Sequence, residues 1–323
     1  MNVTNVRELK RKVFGYLGVK FRGMAFNIDL INGGCPVSCP SCAVGSIGRR
    51  KGGRMSLDLF KKILDKAQSE VKIRNIQLYS YSDPTMHPDL HLFVSECRDR
   101  GIDSIVSTVL QRPQCDFKKL IEARPRELRI SFPGLSKLNY YQGGGKASEF
   151  MSNFLELMKL PRYKETLWTM AFHVYNDNQK DLEMAEVMAK FWGLKFVPIQ
   201  SIFMCNDKYV TKEYSKEDLE LISHLVESPE KAMSRMKHSD FCFCFKQVAI
   251  DALGMTDLCQ NTYDYHLKPF LTTPLKELVK MQKEHSFCKK CREIGGNSYQ
   301  ENYTYFFEKG NPTDKVQERY KNG

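Results

Sequence analysis

The hydrophobic pattern alternates between two periods over the first two thirds of the chain. Met24 to Ile31 is a mostly apolar, partly alternating run that closes on Asn32-Gly33-Gly34, a strand followed by a turn. Ser56 then opens an amphipathic stretch, Leu57 to Glu70, with Leu59, Phe60, Ile63, Leu64 and Ala67 at helical spacing. The rhythm repeats. Strands are predicted at 73–81, 102–110, 128–132, 167–174 and 194–203. Helices are predicted at 88–100, 117–123, 148–160 and 180–192, with Gly101 and Gly193 as stops.

Six β–α units of about 30 residues imply a parallel sheet with helices outside it. The fold class read here is α/β: a partial (β/α)6 TIM-like barrel with a small C-terminal cysteine-rich domain. A doubly wound open sheet is the alternative. In either architecture the ligand site lies at the carboxyl ends of the strands. After residue 210 the rhythm breaks; one more helix is predicted at 216–227. The expected organisation is an N-terminal extension (1–20), the barrel (21–235), the cysteine-rich domain (236–310) and a polar, mobile tail (311–323).

Composition narrows the class. The chain has 323 residues, 42% of them apolar, enough for a substantial core. It contains neither eighteen consecutive apolar residues nor a secretory h-region near Met1. No membrane contact is expected, and the expected compartment is the cytoplasm, where thiols stay reduced. No leader-binding domain is expected ahead of the barrel. Eleven cysteines then need a reason. Eight fall in two groups, at 35, 39 and 42 and at 242, 244, 259, 288 and 291, which favours metal over disulfides. The formal charge is +11. A basic surface attracts anionic ligands and can steer nucleotides or nucleic acid. Its basic residues are scattered, however, with no arginine-rich arm.

Cys35, Cys39 and Cys42 have the spacing C-x3-C-x2-C directly after the first strand. Three thiolates can bind three irons of a cubane and leave the fourth open to a ligand. A zinc site is the competing reading, but structural zinc takes four ligands and no histidine is near.

This loop, after the first strand of a β–α barrel, resembles the radical S-adenosylmethionine (SAM) superfamily, over most of residues 20–210. The resemblance implies a [4Fe–4S] cluster on Cys35, Cys39 and Cys42. It implies chelation of SAM by the open iron and reductive cleavage to methionine and a 5′-deoxyadenosyl radical. That radical removes a hydrogen atom from a substrate. It also implies an electron donor such as flavodoxin or ferredoxin. The family's aromatic residue before the third cysteine is here Ser41, so another side chain is expected beside the adenine. The family's Gly-Gly-Glu-Pro place is held by Tyr81-Ser82-Asp83-Pro84, with Asp83 as the shorter acid facing the SAM amino group. Thr108 and Ser131 match polar positions that face SAM. The arginine that often precedes a glycine-rich turn is absent from Tyr141-Gln142-Gly143-Gly144-Gly145, which reads as a plain loop.

Cys244-x9-Gly254-x4-Cys259, with Cys288-x2-Cys291, resembles the opening of SPASM and twitch domains. Full SPASM spacing would place cysteines at 297 and 301, which are Asn297 and Glu301. The resemblance therefore implies one auxiliary [4Fe–4S] cluster on Cys244, Cys259, Cys288 and Cys291. Cys242 competes as a ligand, and a zinc ribbon competes as a reading. Gln260 stands where sulfatase-maturing relatives carry an acid, which weakens a peptide alcohol oxidation.

Cys115 and Cys205 follow strands three and six and could return a hydrogen atom to a substrate radical. His173, at the end of strand five, could act as a base. Each has a blander reading as a packed or loop residue. Three functions are open on this basis. The first is a radical SAM enzyme for a peptide or small metabolite. The second is radical SAM chemistry on a nucleotide or a base in nucleic acid. The third is a non-enzymatic, metal-stabilised binding protein.

Overall fold

The computed structural model describes residues 23–235, 242–263 and 265–299. The N-terminal extension and the polar tail lie outside the described residues.

Six strands lie side by side in sequence order: β1 (Met24–Ile28), β2 (Ile73–Gln77), β3 (Ser104–Thr108), β4 (Glu127–Phe132), β5 (Leu167–Val174) and β6 (Lys195–Gln200). Every neighbouring pair among them is parallel. A doubly wound sheet reverses its strand order at a switch point. Here the order runs one way from β1 to β6, which is the winding of a partial barrel. The crossover helices are α1 (Leu57–Glu70), α2 (Leu90–Asp99), α3 (Phe117–Glu122), α4 (Ala147–Met158) and α5 (Gln179–Phe191). Helix α1 starts where its sequence says, because the Ser56 side chain accepts from the Leu59 N–H. It buries Phe60, Ile63, Leu64 and Ala67.

Strand alternation divides each strand between two environments. Phe26 and Ile28, Leu128 and Ile130, Met170 and Phe172 join the core beneath the helices. Asn27, Arg129 and Thr169 face the other way and line the lumen. The strand predicted at 73–81 stops at Gln77, and the one at 194–203 stops at Gln200. Beyond those points the backbone leaves the ladder to build loops at the carboxyl rim.

The cysteine-rich segment continues the same sheet. Strand β7 (Gln247–Ile250) pairs parallel with the free side of β1, Ala25 opposite Gln247 and Asn27 opposite Ala249. Strands β8 (Met255–Asp257) and β9 (His266–Pro269) then add antiparallel. A four-residue strand gives too weak a period to be read from sequence, so this seventh parallel strand is a finding of the structure alone. A buried ion pair, Arg50 to Asp257 at 2.9 Å, joins the cysteine loop's outgoing chain to β8. The Arg50 guanidinium also lies over the Tyr81 and Tyr263 rings, at 5.1 and 4.6 Å. Among the described residues no helix is long and apolar enough to cross a membrane.

Removing one partner of a buried pair strands the other charge. Arg50→Met is expected to lower the stability by about 3 kcal/mol, read as a lower midpoint in chemical denaturation with an unchanged slope. An unmoved midpoint would show that the pair contributes nothing net.

Candidate functional site

A cavity of about 670 Å³ runs from the carboxyl rim into the lumen. Cys35, Cys39, Ser41 and Cys42 reach it from the loop after β1; Tyr81, Ser82 and Asp83 reach it from the loop after β2. Thr108, Ser131 and His173 reach it from the ends of β3, β4 and β5. The three thiols and all six residues proposed to face SAM therefore line one cavity.

The cysteine loop has no regular structure until the helical turn Ala43–Ser46, so other parts of the chain hold its shape. The Arg49 guanidinium donates to the carbonyls of Gly33, Cys35 and Val37. Arg112 donates to the Pro36 carbonyl. The Ser38 N–H donates to the Gly143 carbonyl at 3.0 Å. Gly143 sits at φ +35°, and a Cβ there would overlap the Ser38 carbonyl. A Cβ on Gly45 would likewise overlap the Cys39 carbonyl. The Gly143–Gly145 turn, plain in sequence, is the seat of the cysteine loop.

Burial pushes the thiols up: Cys35 to about 12, Cys42 to about 11, and Cys39 well above its usual value. Asp83 adds to the effect at Cys35, and the neighbouring thiols add to it at Cys39. These thiols stay protonated until a cation takes the proton's place.

Asp29, one residue past β1, belongs to no motif in the sequence. It is buried, and its Oδ1 accepts from the Ser80 and Ser82 N–H groups and the Ser82 hydroxyl, at 3.0, 3.1 and 2.6 Å. Its Oδ2 accepts from the Tyr81 N–H at 3.0 Å. Burial raises its pKa to about 6, against the lowering effect of the Ser82 and Tyr81 bonds. An acid just beyond a buried strand end is the signal that could have found it.

Asp83 is committed to the chain itself. Its Oδ1 accepts from the Thr85 N–H and hydroxyl, at 2.9 and 2.7 Å. Its Oδ2 accepts from the Thr108 hydroxyl and the Val109 N–H, each at 2.9 Å. Four bonds fill the acceptor sites of a carboxylate. This acid therefore ties the β2 loop to the end of β3.

The space beside Ser41 is taken by Tyr175, whose hydroxyl lies 3.5 Å from the Ser41 Oγ. Its ring stacks on Tyr141 at 3.6 Å and 10°. His173 Nε2 lies 3.0 Å from the Ser131 Oγ. Burial, and then Arg129, lower its pKa to about 4, so it is neutral at neutral pH. Cys115 is half-buried after β3, and Cys205 is buried just before the helix α6 (Asn206–Thr211). The structure places both outside the cavity wall.

The second cysteine group surrounds a smaller cavity of about 20 Å³. Cys242 and Cys244 enter from the turn before β7, and Cys259 from the end of β8. Cys288 and Cys291 lie three apart on one face of the helix α8 (Ser286–Glu293), which comes directly after α7 (Leu275–Glu284). Gln282 of α7 donates to the carbonyls of Cys244 and Leu258, at 3.2 and 2.6 Å. Among the described residues no three His, Cys, Asp or Glu side chains already stand in metal-binding geometry. Both groups are sets of neighbouring thiols around shared cavities.

No family model and no curated protein matches the chain. Solved structures do. Streptococcus suis SuiB bound to precursor peptide SuiA is 13% identical, with a TM-score of 0.54, covering 90% of this chain and 71% of that chain. Native anSMEcpe with bound AdoMet, which is SAM, is 16% identical, with a TM-score of 0.53, covering 88% of this chain and 96% of that one. At these identities the likeness is one of fold, and it supports the partial barrel.

Gly143→Ala and Gly144→Ala separate the two burdens on the glycine turn. Both residues have positive φ, but nothing lies within 4 Å of a Cβ on Gly144. Each change is expected to cost about 1 kcal/mol in backbone strain. Only Gly143→Ala should also lower the iron bound per chain after anaerobic reconstitution. Equal iron in both variants would show that the cysteine loop does not depend on this seat.

Proposed function

We propose that this chain is a radical SAM enzyme. The observation that carries the reading is the convergence of Cys35, Cys39 and Cys42 with Tyr81, Ser82, Asp83, Thr108 and Ser131 on one cavity at the carboxyl ends of parallel strands. The residues fit a cluster with one open iron. Three half-buried thiols line one cavity, and polar residues from the loops and ends of successive strands line it with them.

In this reading Cys35, Cys39 and Cys42 would hold a [4Fe–4S] cluster. Ser41, Tyr81, Ser82, Thr108 and Ser131 would line the SAM portion of the cavity. When bound and reduced, by a donor such as flavodoxin or ferredoxin, the cluster supplies the electron that cleaves SAM. The protein's own contribution is placement and shielding. Arg49, Arg112 and Gly143 hold the cysteine loop, and Asp29 and Asp83 hold the β2 loop. Tyr175, stacked on Tyr141, supplies the flat surface that Ser41 lacks. The core beneath the helices keeps water from the outer face of the barrel.

An auxiliary [4Fe–4S] cluster would sit on Cys259, Cys288 and Cys291 with Cys244 or Cys242, in the twitch-like manner. The shared lining of the smaller cavity supports it, and both candidate fourth ligands reach that cavity. On this reading residues 236–310 serve the barrel at 21–235 as an accessory cluster region. On this reading the substrate is a peptide, as the peptide bound to SuiB supports, or a small metabolite.

Cys39→Ala is expected to abolish formation of 5′-deoxyadenosine from SAM under reducing, anaerobic conditions, with the auxiliary iron retained. Formation at the unmodified rate would sink the proposal. Stoichiometric zinc with no iron after anaerobic purification would do the same.

A further inference from the structure

In an eight-stranded β/α barrel the lumen is packed with branched apolar side chains. Here polar side chains stand among the inward positions, beside the apolar Ile105, Ala171 and Val197. Asn75 and Gln247 flank β1 at one level, both registered to Ala25, and Asn27 lies two residues further along β1. Thr169 faces them from β5, and all four line the cavity. Asn27, Thr169 and Gln247 are only 3%, 2% and 3% exposed.

These groups are buried without being satisfied. Asn27 Oδ1, Asn75 Oδ1, Gln247 Oε1 and Thr169 Oγ1 find no hydrogen-bond partner among the described residues. Unsatisfied buried polar atoms are rare because each loses its bonds to water. Three of the four are carbonyl oxygens, which only accept. The same amides carry N–H donors, of which Asn27's meets Gln260 Oε1 at 2.6 Å, so the site calls for a ligand that both donates and accepts.

The charged groups nearby do not change that demand. Arg129 is engaged by Glu127 through two bonds, at 3.1 and 3.0 Å, and by the Tyr79 hydroxyl at 2.7 Å. His173 is neutral. Arg74 and Lys195 also line the cavity, at the amino-terminal foot of β2 and β6; the Arg74 guanidinium lies over the Phe243 ring at 5.8 Å, and Lys195 is exposed. A phosphate or carboxylate brings only acceptors and leaves these carbonyl oxygens unpaired. A peptide backbone brings one acceptor for each donor. A hydroxyl donates and accepts at one atom. The volume, within the roughly 300–1,000 Å³ of small-molecule sites, suits SAM with one ring-sized companion.

We propose that the lumen below the cysteine rim binds the substrate, and that this substrate is a small, uncharged, multiply hydroxylated molecule. Calling it a substrate rests on the radical SAM reading above; its binding does not. Asn27, Asn75, Thr169 and Gln247 accept its hydroxyl protons, and the SAM-facing rim covers it.

The test uses the full chain reconstituted with iron and sulfide, with SAM and a reductant. The probes are myo-inositol, D-glucose and N-acetyl-D-glucosamine, set against triglycine and 5′-AMP. At least one neutral polyol is expected to bind saturably in equilibrium dialysis and to raise 5′-deoxyadenosine formation several-fold over the probe-free background. Thr169→Val and Gln247→Leu are each expected to weaken that binding at least tenfold. Val187→Ser, on the exposed face of α5, should leave it unchanged. A clear background that no polyol raises, or that triglycine or 5′-AMP raises instead, overturns this proposal and leaves the radical SAM reading standing. A missing background under all conditions overturns that reading, and dialysis of the polyols then decides this proposal alone.

Discussion

The parallel pairing of β1, with β2 on one side and β7 on the other, is the constraint on which the rest of the molecule depends. Parallel strands end on the same rim. The loop after β1 therefore stands between the loops after β2 and β7. The three thiols take that central place. Asp29, at the end of β1, binds the β2 loop through three N–H groups and a hydroxyl. Asp83 then binds that loop to β3. On the other side β7 leads into β8, whose Asp257 holds Arg50. A chain of carboxylates thus fixes three neighbouring loops with little regular structure of their own.

The same alternation that builds the core builds the site. One set of strand residues, Phe26, Ile76, Leu128, Ile130 and Phe172 among them, is buried beneath the helices and supplies most of the hydrophobic stabilisation. The opposite set faces the lumen. Asn27, Thr169 and Gln247 add little to folding, since their buried oxygens lack partners among the described residues. Residues that break a local rule for stability are commonly found where a ligand restores the balance. The cavity obeys that logic from the thiols at the rim to the amides below.

Much of this is legible in the sequence, and the reasons differ by element. Helix α1 is readable to the residue because an amphipathic period and a Ser56 cap agree. Strand β5 is equally readable, as a long alternating run. The ends of β2 and β6 are overrun, since apolar residues continue into loops held by side chains rather than by the ladder. The seventh parallel strand escapes because four residues carry no clear period. Cys35, Cys39 and Cys42 announce themselves by spacing. Asp29, Tyr175 and Gly143 do not, because their roles arise from contacts 52, 134 and 105 positions away, to Tyr81, Ser41 and Ser38. Cys115 and Cys205 become candidates by their place after strands, yet a place at the rim does not aim a side chain at the cavity.

The most direct measurement is the electron paramagnetic resonance spectrum of the reduced, anaerobically reconstituted chain, recorded with and without SAM. The expected result is an iron–sulfur signal that SAM shifts, and that loses the SAM-sensitive component in a triple Cys35, Cys39, Cys42→Ala variant while an auxiliary signal remains. A spectrum that SAM leaves unmoved would contradict an open iron on those three thiols.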